Sequence, residues 1–157
     1  MMTMTCWPLL ADVVWPALYL ENRLFTLWAI ALGLLVELLF VRYITKRSWR
    51  WCAMADVAMN AASSLIGLVL IPLAGFVWEF FPGGVIHGMF HFGTFNPLTW
   101  TATWAMAALI NGALETSVVR FAFRQRIGKR GFWLLCLANA ISVGVALCSV
   151  FVRPPRL

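Results

Sequence analysis

Apolar positions run together for far longer along this chain than polar ones do. Residues 24–41 read LFTLWAIALGLLVELLFV, with Glu37 as the single charge. At about 1.5 Å of rise per residue, a helix of that length just crosses a hydrocarbon core. Comparable runs occupy residues 51–77, with Asp56 and Asn60 in the first half, and residues 100–123 and 131–152. The pattern predicts an all-α integral membrane protein whose four spans form a bundle from two tandem helical hairpins. Between the hairpins, residues 78–99 (WEFFPGGVIHGMFHFGTFNPLT) hold too many glycines and prolines for a spanning helix. They are expected to form an outer-face aromatic lid or a re-entrant segment, allowed only where protein or water satisfies its backbone.

The chain divides accordingly as one membrane domain. Residues 1–23, broken by Pro8, Asp12 and Pro16, read as an interfacial segment. Residues 24–77 form the first hairpin, 78–99 the lid, 100–152 the second hairpin and 153–157 a short tail. Basic residues concentrate in the loops 42–50 (RYITKRSWR) and 124–130 (RQRIGKR), the pattern that keeps loops cytoplasmic. The lid, Asp12, Glu21 and Glu79 then fall on the far side. Arg153 and Arg156 run mildly against this orientation, but weigh less than the two loops. The general look is that of small bacterial inner-membrane proteins.

Composition agrees with lipid as the solvent: 62% of the 157 residues are hydrophobic and only 11% charged, with a mean hydropathy of +0.86. An ordinary soluble domain is about a quarter charged. The net charge of +6 reflects the two loops and the tail, so no nucleic-acid partner is expected. Cys6, Cys52, Cys136 and Cys148 show no metal-ligand spacing and read as small apolar fillers. Several of the nine tryptophans, Trp49, Trp51, Trp78 and Trp100 among them, fall near span ends, where amphipathic rings settle.

The halves align on each other. GLLVELLFVR, starting at Gly33, falls on NGALETSVVR, starting at Asn111, so that Glu37 matches Glu115, Val41 matches Val119 and Arg42 matches Arg120. With one further inserted residue, NAAS from Asn60 falls on NAIS from Asn139. Aliphatic matches count for little in membrane helices, but coincident Glu, Arg, Asn and Ser are rare there. A duplication of a two-helix hairpin follows, its pseudo-twofold axis along the membrane normal.

The polar residues inside the spans are Glu37, Asp56, Asn60, Ser63, Glu115, Asn139 and Ser142, a candidate intramembrane site. Glu37 and Glu115 lie five residues before Arg42 and Arg120, about 7 Å inside the boundary at helical rise. The favoured reading has them satisfied by loop arginines or lysines; the alternative makes them proton or cation sites. Asn60, Ser63 and Gly67, like Asn139, Ser142 and Ala146, recur on one helix face and suit close helix packing or, less simply, a solute path. Asp56 breaks the repeat, since it aligns with Leu135, and reads as specific to one half or as a helix-start anion.

In the lid, His87, Phe90, His91, Phe92 and Phe95 form a candidate partner-binding surface. His87 and His91, four apart with Glu79 nearby, superficially suggest a metal or haem ligand pair, but Gly88 and Gly93 argue against a rigid helix and no third ligand has fixed spacing. No nucleophile arrangement or phosphate-binding loop occurs, so no enzymatic activity, cofactor or metal is expected. The first functional expectation is a membrane interaction protein, an accessory, assembly or immunity-type protein binding another membrane protein or a membrane-inserting toxin, with self-association open. The alternative is a small proton- or cation-coupled transporter or channel with its site between the repeats.

Overall fold

The computed structural model describes residues 26–91 and 96–152, and side chains through Cys148. Every regular element among them is helical: α1 (Leu27–Thr45), α2 (Trp49–Trp78), a π-helical turn (Glu79–Gly83), α3 (Gly84–Phe90), α4 (Pro97–Phe121) and α5 (Lys129–Val152). Three helical runs, Leu27–Thr45, Trp49–Phe90 and Lys129–Cys148, are long and apolar enough to cross a membrane. The 25-residue α4 is not among them, because Thr99, Thr101, Thr103, Asn111 and Glu115 dilute its hydropathy.

Local chemistry fixes the helix ends. Lys46 takes the left-handed conformation (φ 54°) and its N–H bonds Arg42 O, stopping α1. The Ser48 hydroxyl then accepts from Trp51 N and starts α2. Asn96 does the same for α4, its side chain accepting from Thr99 N at 2.9 Å, with Pro97 in the first turn. The helices thus reach further than the apolar runs suggested. Arg42 to Thr45 belong to α1 rather than to the basic loop, because nothing before Lys46 interrupts the backbone ladder.

Pro72 and Gly75 lie inside α2, which continues to Trp78, the first residue of the region expected as a lid. The helical path breaks only at Phe81, whose backbone is extended (φ −164°, ψ 121°). A short helix of 7 residues then holds Gly88 in its interior, so glycine here did not prevent about two turns of helix. Pro82 and the extended Phe81 carry the interruption.

The long helices pack in a ring, α1 against α2, α2 against α4, α4 against α5 and α5 against α1. At the basic-loop end, Val41, Cys52, Met59, Val119 and Leu135 form one core, joined by Trp51 and Ile127. Towards the other end, Ile71, Ala107, Val143 and Ala146 form a second, with Trp104 against it. The buried carboxyl groups lie between these cores. Leu35, Met54, Leu65, Val69 and Trp133 point outward and are more than half exposed, as side chains bathed in lipid are.

Candidate functional site

Glu37 and Glu115 are buried, at 2% and 0% exposure, and neither is held by the loop arginines or lysines expected of them. Amides hold both. Asn60 Nδ2 donates to Glu37 Oε2 at 2.5 Å, and Asn139 Nδ2 donates to Glu115 Oε2 at 2.7 Å. Each asparagine also donates to the carbonyl four residues back, Asp56 O and Leu135 O respectively, at 3.1 Å in both cases. The reason is reach: with Arg42 in the last turn of α1 and Arg120 in that of α4, the guanidinium groups stay at the loop end. Arg42 lies over the Trp49 ring and Arg120 over the Phe121 ring.

The two acid–amide pairs are not equivalent in their surroundings. Ser142 shares its one hydroxyl proton between Asn139 O (3.1 Å) and Glu37 Oε1 (3.3 Å), which ties α5 to α1. The aligned Ser63 reaches only Asn60 O, at 3.3 Å. Glu115 Oε1 is buried without a hydrogen-bond partner. Asp56 adds a third buried carboxyl, 3% exposed, with Oδ1 3.4 Å from Asn60 Nδ2. It lies in the second turn of α2, away from the helix start, so a simple capping anion does not describe it. The three carboxyls are close enough to interact electrostatically.

Beside Glu37 opens a cavity of about 310 Å³. Gly33, Leu34 and Glu37 of α1, Val57, Asn60 and Ser63 of α2, Asn111 of α4, and Asn139 and Ser142 of α5 contribute to its wall. Seven polar positions were singled out in the sequence; the structure brings Glu37, Asn60, Ser63, Asn139 and Ser142 to this cavity, while Glu115 and Asp56 are not among its lining residues. Asn111 was missed. Its Oδ1 is buried and unpartnered, and an asparagine in an apolar run is itself a signal, but it aligns with Gly33 and so fell outside the matched polar set.

The cavity has a cause in the packing. A β-carbon built at Gly112 would stand 2.6 Å from Cys136 Sγ and 3.0 Å from Cys136 Cα, so α4 and α5 touch nearly backbone to backbone. The aligned residues are Leu34 and Val57, both in the cavity wall. These side chains are bulkier than the glycine at the α4–α5 contact. Trp104 adds a further link across the closed pair, donating from Nε1 to Ala140 O at 2.8 Å; its aligned partner is Thr26.

The lid candidates do not converge with this site in sequence or burial. His87 and Phe90 are exposed on α3, and His91 is exposed in its left-handed cap (φ 55°). Phe92 and Phe95 lie outside the described residues. Among the described residues no group of three or more His, Cys, Asp and Glu side chains is placed to hold a metal ion. Cys52 and Cys136 are buried, Cys148 exposed.

The fold and site define a small all-α protein suited to a membrane, with three buried carboxyl groups, one of them beside a cavity. No protein-family model matches the chain, and no curated protein or solved structure matches it either.

Proposed function

We propose that the protein is a small proton-coupled membrane transporter, built as a four-span bundle from two duplicated hairpins. One observation carries the reading: three carboxyl groups are buried between the helices, and their hydrogen-bond partners are amides and a hydroxyl rather than arginine or lysine. Ionised carboxylates are expensive in a low-dielectric interior unless compensated. Amide donors alone do not cancel that charge, so protons or a cation supply the balance, and their exchange is the chemistry the cluster can perform. The cavity beside Glu37 provides room for a solute whose movement is coupled to it.

The duplication is supported by matched acid–amide pairs, by a ring of contacts in which each hairpin meets the other twice, and by the loops. Arg47 donates from Nε and Nη2 to Gln125 Oε1, at 3.3 and 3.1 Å; these residues occupy the same position in the two halves, as residues on a twofold axis do. With the basic loops cytoplasmic, the axis lies along the membrane normal, in a bacterial inner membrane. The interaction-protein reading, through the helices or the lid around His87 and His91, leaves the buried carboxyls without a role.

Proteoliposomes containing a pH-sensitive dye test the proposal. An imposed pH gradient is expected to collapse faster with the wild-type protein than in empty vesicles, and Glu37→Gln with Glu115→Gln is expected to abolish that difference. Unchanged flux in the double variant would overturn the role of the carboxyls.

A further inference from the structure

The geometry points to the chemical class of the solute: a small protonated amine with an apolar body, seated between α1 and α2 with its N–H groups on Glu37 and Asn111. This rests on the transport reading above and deepens it.

The polar end of the cavity sets one carboxyl, Glu37, among amides and hydroxyls. Glu37 is buried there, and Asn111 Oδ1 is a buried oxygen that no donor satisfies. A buried acceptor left without a donor is costly, and the cheapest remedy is a ligand that brings N–H groups. Among the described residues no lysine or arginine lines the cavity and a carboxyl does, which favours a cation over an anion. The remaining wall is aliphatic, with Ile30, Leu34, Leu68 and Ile71 in it, so a bare metal ion would leave most of the space against hydrocarbon. At ~30 Å³ for each group the size of a water molecule, the cavity has room for roughly ten non-hydrogen atoms.

The kind of cation is also constrained. Quaternary ammonium groups have no N–H to donate and are characteristically held by aromatic rings. Among the described residues no aromatic side chain lines this cavity, and its unsatisfied oxygen asks for a donor. The primary ammonium therefore fits and the quaternary one does not. The path in is lateral: Ile30, Val57 and Leu68 line the cavity and are also exposed on the outer surface of α1 and α2. An amine partitioned into the bilayer meets the site along this exposed side of the cavity.

Isothermal titration of the purified full-length protein in detergent, at neutral pH, tests this with hexylammonium, hexyltrimethylammonium and hexanol. Hexylammonium is expected to bind saturably at one per chain, and the other two about tenfold more weakly or worse. Glu37→Gln should weaken hexylammonium by about tenfold or more, as loss of a charged hydrogen bond does. Asn111→Ala should weaken it by about three- to tenfold, and provides a second variant should Glu37→Gln fail to elute as a folded monodisperse species. Equal binding of all three compounds, or hexylammonium binding unchanged in both variants, would overturn the assignment. Proton flux measured on the same preparation separates the two ideas. Flux that depends on the carboxyls without amine binding removes the amine and leaves the transporter, whereas amine binding without flux keeps the site and removes transport.

Discussion

The hairpins α1–α2 and α4–α5 carry the same acid–amide pair and surround it differently. In α4–α5, Gly112 meets Cys136, Trp104 reaches across to Ala140 O, and the glutamate is sealed at 0% exposure. In α1–α2, the aligned residues are Leu34 and Val57, and both line a cavity beside the glutamate. Polar residues alone do not make a site; the neighbours that decide how closely two backbones approach determine whether the same carboxyl is sealed in or opens onto space.

Substitutions can break or sharpen this difference. The largest effect is expected from Gly112→Ala, whose β-carbon collides with both the side chain and the backbone of Cys136; overpacking of this kind costs about 1–3 kcal/mol. Thermal unfolding in detergent should show a clear fall in Tm. Asn139→Ala comes next. It removes the one hydrogen-bond partner of Glu115, a residue whose other oxygen already lacks one, and should cost about 2 kcal/mol. Asn60→Ala should cost less, about 1 kcal/mol, since Glu37 keeps Ser142 and borders the cavity. If denaturant titrations give equal losses for the two asparagines, the sealed and open descriptions of the two pairs are wrong.

Smaller still, and opposite in sign to Gly112→Ala, is Gly33→Ala. Its β-carbon would rest 3.7 Å from Ser142 Cβ, an ordinary contact, so the gain in helix propensity of roughly 0.5–1 kcal/mol should be visible as a modest rise in Tm. Arg47→Ala should change stability by less than about 0.5 kcal/mol, because its bond to Gln125 is exposed. A larger loss there would mean that the loops, rather than the buried carboxyls, hold the hairpins together.

Much of this was legible in the sequence, and the limits have physical causes. The apolar runs located the long helices to within a few residues, because hydrocarbon tolerates so little else. Glu37 with Asn60, and Glu115 with Asn139, stood out because polar groups inside such runs are rare. Their pairing was not readable. It depends on which helices touch, and the arginines five residues further on offered a simpler partner that lies at the wrong depth. Asn111 escaped because alignment highlights what is repeated, and its importance lies in being unlike Gly33. The cavity was hidden for a related reason: Leu34 and Val57 look like any other apolar residues until set against Gly112 and Cys136. The short helix after the break at Phe81 went unseen because glycine lowers helix propensity by only about 1 kcal/mol, too little to forbid a short helix.

The unlike crossings also bear on a count. Two identical hairpins would open two cavities around one shared centre, or none, and any occupants would compete for it. With the Gly112–Cys136 crossing closed, the site proposed beside Glu37 is not repeated there, and one occupant per chain is the stoichiometry that proposal predicts.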